Sequence, residues 1–363
     1  MIRRAAIASL AAVTSVVTLR AIARRGSRRL LDAPRTTPSE AALGPALDAL
    51  GGEIARFGSR DGLRLSGRWL PAEASPDGEW QPDPAVAILL LHGWSGSSAP
   101  DLVEYGPFLR RTAGVLGLDF RGHGGSDPSP ATFGLREVED VAGALAWLGG
   151  RGIDRVALVG SSMGGITALA SVAVLGDGSL PSADAVADAP ASAVVGQPGR
   201  PRIVAVVADS VPPELVVSVG ARLPAAAPVR RFVAGRLLDA ASRQLGGDPR
   251  DTEPIRVVGL LEGLPLMLIS GEEDTTVPIA DARRLAAAAP PGTTHLVIGG
   301  AGHAEAHATD PVRYEAAVTA FLRDAWSLSS QAEVDPIIAT PGQSQSDPSD
   351  PVDVPDPTTP LED

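Results

Sequence analysis

The chain has 363 residues, enough for one large domain with appended segments, and it contains no cysteine. The lack of cysteine excludes a disulfide framework, a thiolate nucleophile and a thiolate metal site. The formal net charge is -12, and no basic stripe with interleaved aromatic residues crosses the body of the sequence, so nucleic-acid binding is not expected.

The N-terminal segment, residues 1–31, carries seven arginines and no acidic residue. Within it, Ala5–Leu19 is an uncharged, mostly apolar stretch, slightly shorter than the about 17–25 residues of a helix that spans a bilayer. Extension to Ala23, with Arg20 reaching toward the interface, makes the stretch long enough for a membrane anchor. There are two alternatives. One is a signal peptide with a cleavage site at Ala21–Ala23, which corresponds to a secreted protein, and the other is a surface helix or frayed arm, which corresponds to a cytoplasmic protein.

Residues 32–53 form a linker rich in Pro and Ala, and residues 54–326 have the pattern of one domain. An antiparallel hairpin around Arg60–Gly62 opens this domain. Six short apolar runs follow, typical of strands buried on both faces, and helical stretches lie between most of them. The predicted strands are Ile54–Phe57, Leu63–Trp69, Val86–Leu91, Gly114–Asp119, Val156–Val159, Ile203–Ala208, Leu264–Ile269 and Leu296–Ile298. The predicted helices are Ala99–Arg111, Leu135–Leu148, Met163–Leu175, Ile279–Ala289 and Pro311–Trp326. This alternation predicts an α/β fold with a mostly parallel sheet and helices on both faces.

Two insertions and a tail depart from this alternation. Residues 176–202 are rich in Ala, Pro, Asp and Gly, which predicts a flexible surface loop. Residues 212–259 fall between two strands, at the sheet edge where ligands bind, and are predicted to form a helical lid or pocket wall, or equally a packed helical excursion. Residues 331–363 carry eight acidic and no basic residues and lack periodic hydrophobic positions, so this tail is predicted to be disordered.

Ser162 is the strongest candidate for a functional residue. It lies in the pentad Gly160–Gly164, between an apolar strand and a helical run, which is the context of a nucleophile elbow. Small residues are needed at positions 160, 164 and 165 because a bulky side chain would clash where the strand turns into the helix. The pattern predicts nucleophilic acyl transfer at Ser162, and the alternative is a glycine-rich turn without chemistry.

An activated serine needs a base, and the chain has five histidines. His92 and His123 lie in turns that follow two central strands, and His295 begins the last strand, so all three favour structural roles. His303 and His307 follow the last strand. His303 comes directly after a glycine-rich loop and is predicted to be the base, whereas His307 lies one helical turn further and is expected to point away.

The acid that orients the base should follow the strand between the serine and the histidine. Asp274 lies in the turn after the strand Leu264–Ile269 and is the preferred candidate. Glu272, Glu273 and Asp209 are the competitors, and each of these carboxylates also fits a solvated loop residue or a helix cap.

The negative charge that develops on a substrate oxygen requires backbone N–H donors. Met163 follows the serine at a helix N-terminus, where unpaired amides favour an anion. A second donor should come from the loop His92–Gly96, in which Trp94 follows a glycine that lets the backbone approach the site. The Trp94 side chain either lines the pocket or packs in the interior.

Five motifs occur in the order found in a known family. They are HGWSG (92–96), LDFRGHGGSD (118–127), GSSMGG (160–165), GEEDTTVP (271–278) and GAGHAE (300–305). On these motifs the chain resembles the alpha/beta-hydrolase superfamily, in its serine-hydrolase branch, and is similar there to the serine aminopeptidase-like and dienelactone-hydrolase-like groups. The resemblance implies an eight-stranded alpha/beta-hydrolase fold and the catalytic triad Ser162, Asp274 and His303. It also implies that Trp94 and Met163 are the backbone donors of the oxyanion hole and that Asp119 and Arg121 are structural.

These observations predict a serine hydrolase that cleaves a carboxylic ester, or a related small acyl compound, through an acyl-enzyme on Ser162. The chemistry needs no metal ion and no organic cofactor. An acyltransferase with the same triad, in which an alcohol or thiol replaces water, is one alternative. A non-catalytic binding module tethered to a membrane through residues 1–30 is the other.

Overall fold

A mixed β-sheet forms the centre of the computed structural model, which describes residues 23–37, 40, 42–74, 81–175 and 201–334. The sheet has eight strands in the order β1-β2-β4-β3-β5-β6-β7-β8. The strands are β1 (Glu53–Gly58), β2 (Arg64–Leu70), β3 (Val86–Leu91), β4 (Gly114–Asp119), β5 (Arg155–Ser161), β6 (Arg202–Asp209), β7 (Leu266–Gly271) and β8 (Thr294–Ile298). β2 is antiparallel to β1 and β4, and all other neighbouring strands are parallel. The predicted eight-stranded, mostly parallel sheet is confirmed.

Helices cover both faces of this sheet. They are α1 (23–31), α2 (Gly44–Leu50), α3 (Ala99–Leu109), α4 (Glu137–Gly149), α5 (Met163–Leu175), α6 (Leu215–Ala221), α7 (Ala227–Leu245), α8 (Pro254–Val257), α9 (Ile279–Ala288), α10 (Ala306–Thr309) and α11 (Pro311–Val334). Two 3-10 turns, Pro249–Thr252 and Val258–Leu260, flank α8.

The strand β3 shows why the central strands are continuous apolar runs. Its six residues are all buried. Leu89 and Leu91 point into the core that α4 and α5 cover, whereas Ile88 and Leu90 point into the core that α3 and α11 cover. Because successive side chains of a strand face opposite sides, a sheet covered on both faces needs apolar residues at every position.

β3 lies at the point where the chain switches from adding strands on one side of the sheet to adding them on the other. β4 pairs with one edge of β3 and β5 with the other, both in parallel. In open α/β sheets, ligands bind in the crevice outside the carboxyl ends of the strands at such a reversal. The ends of β3 and β5 therefore mark the expected position of a functional site.

The predicted linker and lid both contain helices. Within 32–53, Leu47 and Leu50 of α2 pack against the core beneath α3 and α11. Within 212–259, α6 and α7 pack against each other, and Leu215 and Leu238 of these helices belong to the main core.

Two predicted boundaries are wrong. α11 continues to Val334, so the first four residues of the predicted disordered tail are helical, in keeping with the high helix propensity of Ala332 and Glu333. The predicted loop 176–202 ends earlier, because Arg202 begins β6 and pairs with Arg155 of β5. The predictions for residues 1–22, 176–200 and 335–363 concern segments outside the described residues. Among the helices that are described, none is both long enough and apolar enough to cross a bilayer.

A buried ion-pair network joins the loop after β4 to its surroundings. The Arg121 side chain is 2% exposed and donates to both oxygens of Asp140, which is 0% exposed, at 2.8–3.2 Å. It also donates to both oxygens of Asp61, in the turn between β1 and β2, at 2.8 and 2.9 Å. One guanidinium therefore links three segments that are distant in the sequence.

Replacement of Arg121 by Met should lower the free energy of unfolding by about 3–5 kcal/mol, because the buried Asp140 carboxylate loses its counter-charge. Chemical denaturation at neutral pH measures the change. Arg64→Met is the matched control, since Arg64 is 89% exposed in its ion pair with Asp127 and should matter little. The double variant Arg121→Met/Asp140→Asn should recover part of the loss. Equal effects of Arg121→Met and Arg64→Met would contradict this account.

Candidate active site

The turn between β5 and α5 places the Ser162 hydroxyl at the carboxyl edge of the sheet. Ser162 has a φ of 49°, in the left-handed region that L-residues rarely adopt. A Cβ at Gly160 would lie 2.5 Å from the carbonyl carbon of Gly164, and a Cβ at Gly164 would collide with the Leu91 carbonyl oxygen. These close approaches explain why the turn needs glycine at both positions, as predicted.

The structure brings Ser162, His303 and Asp274 into one hydrogen-bonded chain. His303 Nε2 lies 3.0 Å from Ser162 Oγ, and His303 Nδ1 lies 2.8 Å from Asp274 Oδ2. With the proton on Nδ1, the imidazole donates to the carboxylate, and its Nε2 lone pair faces the hydroxyl. The imidazole thus lies between the hydroxyl and the carboxylate, which is the arrangement that a general base and its orienting acid require.

The Asp274 carboxylate is held from its other side by the backbone. Its Oδ1 accepts hydrogen bonds from the amides of Thr276 and Val277 at 2.7 and 2.8 Å, and its side chain is 2% exposed. The competing Glu272 and Glu273 are exposed. The turn after β7 thus directs only Asp274 toward His303.

The other histidines have different partners. His92 is buried, accepts from the Phe120 amide on Nε2 at 3.1 Å and contacts the Gly93 carbonyl through Nδ1 at 2.7 Å. Burial lowers the pKa of His92 to about 3, so its imidazole is neutral at neutral pH.

His123, His295 and His307 are likewise engaged away from Ser162. His123 Nδ1 lies 2.9 Å from the Arg121 carbonyl, and His295 Nε2 lies 3.1 Å from Ser270 Oγ. His307 lies between carboxylates of α3 and α11, with its ring nitrogens 3.0 and 3.1 Å from Glu104 and Glu315. His303 is the histidine that the structure brings to Ser162.

The loop after β3 runs beside Ser162. A Cβ added to Gly93 would lie 3.8 Å from the Cβ of Ser162. Within the described parts of the chain, no residue accepts a hydrogen bond from the amides of Trp94 or Met163. Met163 is the first residue of α5, so its amide is one of the unpaired donors of a helix N-terminus. Both amides have the free donor capacity that an oxyanion site needs.

The Trp94 side chain lies between two neighbouring segments. Its indole Nε1 donates to the Leu30 carbonyl of α1 at 3.0 Å, and the guanidinium of Arg222, just after α6, lies 5.5 Å from the ring centroid. The ring is therefore held between α1 and the predicted lid.

The turn after β6 connects the serine to the histidine loop. The Ser162 amide donates to the Asp209 carbonyl at 2.8 Å, and the Ala304 amide donates to Ser210 Oγ at 2.9 Å. Ser210 Oγ in turn donates to Asp209 Oδ1 at 2.9 Å. Ser210 and Ala304 both have positive φ, 54° and 56°. This clamp was not predicted, because Ser210 and Ala304 are 94 residues apart and neither carries a local motif.

Two buried acids lie near the site without belonging to the hydrogen-bonded chain. Burial, together with the charges of Glu104 and Asp209, raises the pKa of Asp101 to about 8, and burial raises the pKa of Asp209 to about 6. The Asp101 carboxyl is therefore mostly protonated near neutral pH, whereas the Asp209 carboxyl is mostly ionised there. The described residues contain no group of three or more His, Asp or Glu side chains arranged to hold a metal ion.

Comparison with known proteins places the chain in a family. A model of the alpha/beta hydrolase family matches residues 88–317, more than half of the sequence. The chain therefore belongs to the alpha/beta hydrolase family, and the predicted superfamily is confirmed, while its sub-branch stays a prediction. A search of curated protein sequences finds no match.

Solved structures share the fold at low sequence identity. One is the Pyrococcus furiosus esterase Pf2001, with a TM-score of 0.57 and 19% identity, covering 81% of this chain and 97% of that chain. Another is the alpha/beta hydrolase GrgF from Penicillium sp. sh18, with a TM-score of 0.53 and 18% identity, covering 75% of this chain and 98% of that chain. At these identities the likeness concerns the fold.

The low pKa of His92 predicts a pH dependence of stability. Because the folded-state pKa of about 3 lies below the usual histidine pKa of 6.5, the unfolded chain binds a proton at His92 between these pH values that the folded chain does not. The resulting stability is fully present above pH 6.5 and is lost as pH falls toward about 3, by about 1.4 kcal/mol per pH unit. Denaturation series at different pH measure how the free energy of unfolding changes with pH. Between pH 4 and 6, His92→Gln should reduce this slope by the contribution of one proton, and above pH 7 the slopes of variant and wild type should be identical, which is the internal control. An unchanged slope would mean that His92 titrates normally.

The clamp at Ser210 predicts an effect on the reactivity of Ser162. Ser210→Ala removes the oxygen that accepts from the Ala304 amide, so the loop that carries His303 is held less firmly. The rate at which a fluorophosphonate labels Ser162 should fall about tenfold, as expected for one buried hydrogen bond of about 1.4 kcal/mol. Ser327→Ala, which removes an exposed hydroxyl on α11, is the control and should label at the wild-type rate. Equal rates for the two variants would show that the clamp has no role.

Proposed function

We propose that this chain is a serine hydrolase that cleaves carboxylic esters through an acyl-enzyme on Ser162. The proposal rests on one observation, the continuous hydrogen-bonded chain from Ser162 Oγ through the His303 ring to Asp274, with distances of 3.0 and 2.8 Å. A serine hydroxyl is a weak nucleophile until a neighbouring base accepts its proton, and this arrangement supplies that base.

In the proposed acylation, Ser162 Oγ attacks the ester carbonyl while His303 Nε2 takes the hydroxyl proton. Asp274 keeps the proton of the neutral ring on Nδ1 and stabilises the imidazolium that forms. When the tetrahedral intermediate collapses, the imidazolium gives its proton to the departing alkoxide, and an alcohol leaves. The acyl group stays on Ser162.

In the proposed deacylation, water takes the position of the alcohol. His303 Nε2 accepts a proton from the water as the water oxygen attacks the acyl carbonyl, and the imidazolium then protonates Ser162 Oγ as the acid is released. The amides of Trp94 and Met163 serve as donors to the oxyanion in both steps, which their free donor capacity beside Ser162 supports.

Replacement of Ser162 by Ala should lower kcat/KM on a panel of esters of varied acyl length by at least about a thousandfold, because no acyl-enzyme can form. Ser161→Ala is the matched control, since it removes the neighbouring hydroxyl from the same turn and should retain activity within about tenfold. Ser162→Ala activity within tenfold of wild type would mean that another residue attacks.

Two experiments on the wild-type protein distinguish this proposal from an acyltransferase and from a non-catalytic binding module. Added alcohol or thiol acceptors that capture most of the acyl group from the acyl-enzyme would identify an acyltransferase. A Ser162 that does not react with a fluorophosphonate would favour a non-catalytic binding module.

A further inference from the structure

The helices α1 and α7 lie side by side on the surface of the domain. A Cβ at Gly26 would lie 2.7 Å from Leu237 Cδ2, and Leu31 packs with Ala241 and Leu245. Ser27 and Gln244 are also hydrogen-bonded across this contact. Their outward sides form one surface, here named the α1–α7 face.

The α1 side of this face is basic. Ser27 and Leu31 are buried toward the domain, and the arginines of the helix are on the opposite, exposed side. These arginines are Arg24, Arg25, Arg28 and Arg29. Among the described residues, no carboxylate forms an ion pair with any of them. The nearest acid in the sequence, Asp32, follows the C-terminal end of the helix.

The α7 side adds apolar and basic groups. Val229, Phe232, Arg236 and Arg243 recur at helical spacing, so they lie along one side of the helix. Val229 is 53% exposed and Phe232 is 70% exposed. Arg236 pairs with Asp239 at 3.0 Å. An exposed Phe and Val beside several arginines is typical of a surface that inserts apolar groups between lipids and contacts their phosphates.

The charge of this face contrasts with that of the chain. The whole sequence has a net charge of -12, yet the α1–α7 face presents six arginines with two acids, Asp32 and Asp239, close to it in the sequence. An anionic lipid surface attracts such a basic face and repels the rest of the molecule, so the charge distribution also sets an orientation.

The composition of the N-terminal sequence supports the same partner. The chain that precedes α1 includes the apolar stretch Ala5–Leu19. In the sequence this stretch precedes α1, one of the two helices of the face.

We propose that the α1–α7 face docks on an anionic lipid bilayer. The indole of Trp94 is hydrogen-bonded to Leu30 of α1, so docking brings the loop beside Ser162 close to the bilayer. On the proposed function, the ester substrates would then be molecules that partition into the membrane. The docking itself requires no catalysis and is tested separately.

Cosedimentation of the full chain with phosphatidylcholine vesicles, with and without phosphatidylglycerol, tests docking. Anionic vesicles should bind the protein at least about tenfold more strongly, and salt should weaken this binding. Arg24→Gln/Arg25→Gln/Arg28→Gln should remove most of that preference. The matched control carries the same charge change at exposed positions outside this face, Arg56→Gln/Arg111→Gln/Arg313→Gln, and should bind like wild type.

The apolar contribution is tested with Phe232→Ser, which should weaken binding to anionic vesicles roughly tenfold. Binding that is equal on neutral and anionic vesicles, or equal for the α1 triple variant and its control, would overturn the proposal. Hydrolysis of a short, soluble ester without vesicles should be unchanged in all these variants, so a loss of docking is distinguishable from a failure of the proposed chemistry.

Discussion

The close packing of three backbone segments at the start of α5 is the constraint on which the site depends. The carbonyl oxygen of Leu91 at the end of β3 leaves no space for a side chain on Gly164, and a Cβ on Gly160 would lie 2.5 Å from the Gly164 carbonyl carbon. This contact forces Ser162 into a left-handed conformation, with its amide bonded to the Asp209 carbonyl. The strain of such a residue persists only where surrounding structure determines it, and here the ends of β3, β5 and β6 do so together.

Each part of the candidate site comes from the end of a different parallel strand. The loop after β3 carries Trp94, the turn after β5 carries Ser162, the turn after β6 carries Ser210 and the turn after β7 carries Asp274. Parallel strands end at the same edge, so residues far apart in the chain meet there without long connections. The hydrogen bond from the Ala304 amide to Ser210 then ties the histidine loop to this edge.

The segment before the first strand is structurally part of the domain. The Gly96 amide donates to the Pro34 carbonyl at 2.8 Å, and Ser97 Oγ donates to Glu40 at 2.8 Å, so Pro34 and Glu40 hold the loop that carries Trp94. Through Leu30 and Leu31, the same segment contacts Trp94 and α7. A bilayer bound at α1 would therefore lie next to the part of the molecule that the proposed chemistry uses.

The sequence by itself determined the fold class, the central strands and the elbow at Ser162, because buried parallel strands are continuous apolar runs and tight turns need glycine. From the positions of the histidines relative to the predicted strands, the sequence also reduced the candidates for the base from five to two, His303 and His307. The sequence preferred Asp274 among four acids, and the tertiary structure decided between them: Glu272 and Glu273 are exposed, Asp209 lies against the Ser210 hydroxyl, and Asp274 faces the His303 ring. The Ser210 clamp and the docking of α1 on α7 also required the structure, since hydrogen bonds and packing between distant segments leave no periodic pattern in the chain.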